Sequence, residues 1–183
     1  MVKVKLPEGT FETTVITFEE SDREILFNIY KDWRSLCDNL IKIKARAVNI
    51  PEGLSESAFC LEMGFARFTD SISGANTSFD SIDLDTNDRI QIKACSVLPD
   101  LTSFGPKSVW DKIYFVDFCR EGKWDGTFDI YLINTKDIYN HKVNVNQTFR
   151  DQQLQGRRPR FSIFKEIIQK KHLKPLKSAT LDM

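Results

Sequence analysis

Histidine is scarce: His141 and His172 are the only two among 183 residues, and neither has a partner at zinc-ligand spacing. That argues against a zinc finger and against a nuclease built on histidine-held metal. The four cysteines (Cys37, Cys60, Cys95, Cys119) lie far apart with no CxxC pair, so neither a thiolate metal cage nor a disulfide framework is expected. They are predicted to be reduced and mostly buried, as in a cytoplasmic protein. No apolar run approaches the roughly 18 residues that span a bilayer. The opening Met-Val-Lys-Val-Lys runs straight into charged residues and predicts no signal peptide. There are only eight glycines, no repeats and no low-complexity linker, so one domain is expected over residues 1–183.

Net charge is also missing, since 26 basic residues balance 26 acidic ones. The balance hides an asymmetry. From His141 to Lys177 ten Lys or Arg face only Asp151 and Glu166, a net of +8, which leaves −8 on the rest of the neutral chain. A basic C-terminal third on an acidic body points to a polyanionic partner, or else to a solvated basic helix.

At 41% hydrophobic residues the chain has material for a core. Ser21-Asp22-Arg23-Glu24 has the pattern of a capping box. After it, Ile25, Leu26, Ile29, Trp33, Leu36, Cys37, Leu40 and Ile41 recur at helical spacing and predict a long amphipathic helix for core or dimer packing. A second helix is predicted from a cap at Ser55 to Gly64. Together these form an N-terminal helical part over about 20–68. Strands are predicted over Thr77–Asp85, Arg89–Val97, Lys112–Cys119 and Thr127–Ile133, so that a catalytic hairpin and sheet fill about 77–133. The last forty residues read as helical, broken at Gly156 and Pro159, with a basic part over about 141–177. Helices followed by strands and more helices suggest an α/β or α+β fold, helices packed on a mixed central sheet.

Chemistry concentrates in Ser78-Phe79-Asp80 and Arg89-Ile90-Gln91-Ile92-Lys93-Ala94. A two-residue turn at Thr86-Asn87 would set Asp80 across from Lys93 and Ile82 across from Gln91. Asp80, Gln91 and Lys93 would then share one face, and Ile90, Ile92 and Ala94 the other. Such a trio suits phosphodiester hydrolysis. Mg²⁺ takes oxygen ligands, available here from the Asp80 carboxylate, Gln91 Oε1 and the backbone carbonyl of Ile92. Lys93 would orient a water and offset phosphate charge. A surface hairpin with a solvated salt bridge shows the same spacing, which does not by itself decide.

These residues resemble the PD-(D/E)XK nuclease superfamily, and more closely a family of small type II restriction endonucleases that cut GCNGC. The resemblance runs from about Pro51 to Ile168 through PEGLSESAFC, SGANTSFDSID, RIQIKACSVLPDLTSFGPKSVWDKIYF and QGRRPRFSIFKEII. It implies a restriction-endonuclease-like fold, Mg²⁺-dependent cutting, homodimeric action on symmetric double-stranded DNA, and a partner methyltransferase protecting host DNA in a prokaryotic cytoplasm. The first metal-binding acid falls on Asp80, the second acidic position on Gln91 and the lysine on Lys93. Gln91 departs from the usual Asp or Glu and removes one negative charge. Related nucleases often add a glutamate from the preceding helix, for which Glu56 is the first choice and Glu62 the second.

Gln152, Gln153, Gln155, Arg157, Arg158 and Arg160 form a run able to read base edges, Arg on guanine above all. Lys165, Lys170 and Lys171 are expected to touch phosphates. The loop Asp100–Pro106 is close enough in sequence to the catalytic strand to reach DNA. A repair or transposition nuclease with the same centre, and a catalytically dead DNA-binding module, remain as alternatives. Incubation with plasmid and Mg²⁺ separates the three: discrete fragments, a smear or nicks, or no cutting.

Overall fold

A computed structural model describes residues 1–182. Its centre is a seven-stranded mixed sheet built from β3 (Val15–Ile16), β4 (Ala66–Phe68), β5 (Ser81–Ile82), β6 (Arg89–Cys95), β8 (Lys112–Asp117), β9 (Thr127–Ile133) and β11 (Lys177–Thr180). The spatial order is β11-β9-β8-β6-β5-β4-β3. Only β6 and β8 run parallel; every other neighbour pair is antiparallel. A hairpin of β1 (Val2–Leu6) and β2 (Gly9–Thr13), and a short pair of β7 (Thr102–Ser103) with β10 (Arg160–Phe161), stand outside this sheet.

Helices cover both faces, which is why β8 is apolar from Ile113 to Val116, while β6 alternates Ile90, Ile92 and Ala94 with Arg89, Gln91 and Lys93. On one face pack α1 (Arg23–Lys42) and α2 (Glu52–Met63), their Leu26, Tyr30, Trp33, Leu54 and Phe59 meeting Ile90, Ile92, Tyr114 and Val116. On the other, Ile138 of α3 (Thr135–Tyr139) and Phe149 of α4 (Phe149–Leu154) join Phe104, Phe161, Ile163 and Ile167 over Cys95, Ile113 and Phe115. A smaller third cluster seats the N-terminal hairpin through Val4 and Leu6 on Phe68, Phe79 and Ile82. This is the mixed α+β architecture of the restriction-endonuclease type.

Several local expectations change. The N-terminal capping box is Glu19 with Asp22, around a turn at Glu20–Asp22, rather than Ser21 with Glu24. Along α1, Leu26, Trp33 and Cys37 are buried, whereas Ile25, Ile29, Leu36 and Ile41 stay exposed. Helix α2 starts a turn earlier than Ser55, behind Pro51, and Ser55 sits within it donating to the Pro51 and Glu52 carbonyls. It ends as expected at Gly64, whose φ of 71° takes the left-handed cap that glycine adopts without strain.

The long strand Thr77–Asp85 shrinks to Ser81–Ile82, because the Ser78 N–H turns to Asn76 Oδ1 instead of a ladder partner. The C-terminal forty residues are less helical than their pattern suggests. They hold one short α-helix, a wide π-helical segment Phe164–Gln169, and the edge strand β11.

Candidate active site

The connection from β5 to β6 has four loop residues, Leu84 to Asn87, closed by Asp83 N–H to Asp88 O at 3.0 Å and Asn87 N–H to Asp83 O at 2.7 Å. Asn87 takes a positive φ of 62°, which asparagine tolerates. The register therefore pairs Ser81 with Ile90 and Ile82 with Arg89. Counting outward, Asp80 lies across from Gln91 and not from Lys93, a slip of two residues from the two-residue turn. A slip of two preserves the face. Ile90, Ile92 and Ala94 do pack on α1 and α2, leaving Gln91 and Lys93 to the opposite side.

Asp80 immediately precedes β5 and is held tightly. Its Oδ2 accepts from Ile92 N–H at 2.6 Å and from Gln91 Nε2, while its own N–H donates to Ile90 O at 3.0 Å. Among the described residues Oδ1 accepts no hydrogen bond. In a strand a residue's N–H and C=O point to the same edge, so the Ile92 carbonyl lies on the Asp80 side as well. Burial raises the Asp80 pKa, opposed by Lys93, the Ile92 amide and Gln91.

Gln91 is buried behind Asp80, and its nitrogen rather than Oε1 meets the carboxylate. A half-turn of the amide exchanges the two atoms with little change of shape.

Asp80, Ile92 and Lys93 line a cleft of about 400 Å³ together with Glu52 and Glu56 from α2 and Ser103 from β7. Glu56 Oε2 accepts from Arg67 Nε on β4 at 2.7 Å, and Oε1 has no partner among the described residues. Its pKa is pushed up to about 7, first by burial and then by Asp80, with Arg67 pulling the other way. Two carboxylates that each keep one oxygen free, and that disfavour each other's charge, form a donor set suited to a hard divalent cation. No cage of three or more His, Cys, Asp or Glu exists among the described residues, so such an ion would have to complete its shell with neutral oxygens, water and phosphate.

Glu62 is not brought to this cleft. It sits at the far end of α2 in a partly buried ion network with Arg23 (2.7 Å) and the exposed Lys177 (2.8 Å). Lys93 makes no ion pair among the described residues; its Nζ stands 5.6 Å from the centre of the Phe104 ring.

The basic run approaches the same cleft at Arg160. Arg160 pairs with Ser103 in the β10–β7 ladder, and Ser103 lines the cleft. Arg157, Arg158 and Arg160 are exposed, as is Lys165. Lys170 and Lys171 are exposed too but pair with Glu166 and Asp137. Gln153 turns inward and donates to Gly105 O at 3.1 Å; Gln152 and Gln155 join an amide cluster around Gln147.

Asp100 does not face outward with its loop. It is buried, accepting from Ser162 Oγ (2.6 Å), Ile163 N–H and Phe164 N–H (both 3.0 Å), and from Thr102 Oγ1. It caps the helical segment after β10. Asp117 and Asp129 face each other on β8 and β9. Asp117 caps the turn at Cys119 and Arg120, and Asp129 binds Arg120 and Ser178.

Arg67, Glu52 and Ser103 were not found from sequence. Reading the Ala66-Arg67-Phe68 alternation as a strand would have turned Arg67 away from the apolar pair, but nothing in the sequence places it on Glu56.

The family model for the Bsp6I restriction endonuclease matches residues 18–170. The type II restriction enzyme Bsp6I of Bacillus sp. (strain RFL6) is 34% identical over 169 residues, covering 91% of this chain and 92% of that enzyme. No solved structure matches the chain.

Proposed function

Because the chain belongs to the Bsp6I restriction endonuclease family, we propose that it hydrolyses double-stranded DNA with Mg²⁺ at a short symmetric G·C-rich site of the GCNGC kind. The observation that carries the reading is the trio at the start of β5 and along β6. Asp80 and Lys93 line a cleft, Gln91 donates to Asp80, and Arg160 pairs with Ser103 on the cleft wall.

Asp80 Oδ1, the free oxygen of Glu56 and the Ile92 carbonyl would hold the ion, with Gln91 Oε1 available after an amide turn. The bound ion would supply a Lewis acid for the scissile phosphate and lower the pKa of a water. Gln91 and the Ile92 amide fix the orientation of Asp80. Arg67 fixes Glu56 and limits its repulsion of Asp80. Lys93 donates to the attacking water or a phosphate oxygen and offsets charge as it builds. Arg157, Arg158 and Arg160 read guanine edges, with Gln152 and Gln155 beside them, while Lys165, Lys170 and Lys171 meet phosphates. Gln153, turned inward onto Gly105 O, braces the loop instead. A symmetric site calls for a homodimer, and host protection calls for a methyltransferase acting on the same sequence in a prokaryotic cytoplasm.

The test is plasmid cleavage with and without Mg²⁺ for the wild type, Asp80→Ala and Lys93→Ala. Discrete Mg²⁺-dependent fragments from the wild type alone support the proposal. A smear or nicks point to a nuclease of another use, and no cutting to a DNA-binding module. Near wild-type cutting by either variant removes that residue from the centre.

A further inference from the structure

Lys93 poses a problem of placement. A lysine side chain has many rotamers to lose, and among the described residues no carboxylate forms an ion pair with this one, though Asp80 lies near enough to feel its charge. The ring of Phe104 faces its ammonium, 5.6 Å from Nζ, within the range where a cation is attracted to an aromatic face.

That ring cannot move freely. Phe104 is fully buried, 4.8 Å edge-on from Phe149, 5.7 Å from Trp110, and stacked on Phe161 at 5.9 Å and 15°. Its N–H donates to Pro159 O at 3.1 Å. Pro159 is itself buried between the exposed Arg158 and Arg160. The same unit is bolted a second time where Asp100, on the loop after β6, binds Ser162, Ile163 and Phe164. Strand β10, which bears Arg160, and the ring facing Lys93 are thus tied into one piece.

We propose that Phe104 is a positioning residue for Lys93, and that it joins the DNA-contacting strand β10 to the catalytic lysine. The inference rests on the reading of Lys93 as catalytic. It implies that DNA seated on Arg158 and Arg160 also sets the ring against which Lys93 is aimed.

Replacing Phe104 by phenylalanines with one, two and three ring fluorines tests this, since fluorine drains the negative face of the ring while nearly keeping its shape. Single-turnover cleavage of cognate duplex should fall stepwise, by about two- to thirty-fold across the series, the range for a cation–ring attraction of ordinary size. Duplex affinity and the unfolding midpoint should stay near wild type. Phe104→Leu should lower the cleavage rate at saturating DNA more than it weakens binding, and should narrow the gap in cleavage rate between cognate and singly substituted duplexes. A flat fluorine series alongside an inactive Lys93→Ala overturns the positioning role while sparing the centre. An active Lys93→Ala instead overturns the reading on which it rests.

Discussion

Gln91→Glu restores the acid usual at its position, and the structure gives it a definite cost. The new carboxylate would lie against Asp80 in a buried setting where Gln91 now donates a hydrogen bond. Two unit charges about 4 Å apart repel by roughly 4 kcal/mol at an effective dielectric of 20. Losing a hydrogen bond to a charged group adds roughly 1.5–3 kcal/mol. The pair can escape part of this by binding a proton, and burial already raises the Asp80 pKa. A net destabilisation of about 3 kcal/mol without metal follows, or about 6–12 °C in midpoint for a chain of this length.

The sign with pH is set by the raised pKa values. Their stability contribution is present at low pH and lost as pH rises, so the deficit should be largest near pH 8 and shrink on acidification. Mg²⁺ should reverse it, contributing roughly 2.7 kcal/mol at a hundred times the dissociation constant. Thermal unfolding in EDTA and across a Mg²⁺ titration measures both, with cleavage assayed in parallel. Gln91→Glu should cut, and Gln91→Ala should be severely impaired. Equal midpoints for Gln91→Glu and wild type in EDTA, with equal Mg²⁺ shifts, would refute the contact between this side chain and Asp80.

Glu56 and Glu62 should separate by phenotype. Glu56→Gln should lose most cleavage with little loss of stability, whereas Glu62→Ala should cost about 1.5–3 kcal/mol of stability in a urea titration by removing the carboxylate shared by Arg23 and Lys177, and still cut. Cleavage and urea titration of both variants check this. Asp117 has a pKa raised by burial, so ionised Asp117 weighs against folding at neutral pH. Asp117→Asn, which keeps the acceptor for Cys119 and Arg120, should raise the unfolding midpoint at pH 8, and the gain should fade as the pH falls; no gain at pH 8 would contradict the shift. Arg158→Ala should reduce the slope of log K against log salt by about 0.9 if it meets a phosphate. If it reads guanine instead, it should cost about 1–3 kcal/mol of discrimination between cognate and singly substituted duplexes.

Sequence made the central strands legible because they are apolar runs bounded by turns, and β9 spans Thr127–Ile133 as expected. It misled where a few residues serve tertiary neighbours. Strand β4 is three residues long and gains its place by pairing with β3 and β5, so no local period announces it, and β5 keeps only two residues of the strand expected over Thr77–Asp85. The stretch Phe164–Gln169 has helical spacing but winds as a π-helix, its start fixed by Asp100 some sixty residues earlier. Asp100 read as a polar loop residue because burial, which decides its role, is invisible in sequence. Glu62 and Glu56 lie on one helix at similar spacing, and only the positions of Arg23, Lys177 and Arg67 tell them apart.

The register of the β5–β6 hairpin shows which inferences are robust. Turn length fixes which residue stands across from which, and a loop of four in place of two moved the partner of Asp80 from Lys93 to Gln91. Parity is fixed separately. Ile90, Ile92 and Ala94 commit one face of β6 to the layer of α1 and α2, and any slip of one would drive Gln91 and Lys93 into that layer. Burying an unpaired lysine there would cost far more than a loop rearrangement. The hydrophobic alternation therefore guarantees that Gln91 and Lys93 share a face whatever the turn does, and the turn only chooses which of the two touches Asp80. Here it chose the amide, which restrains Asp80 and leaves the lysine without an ion pair among the described residues, on the wall of the cleft.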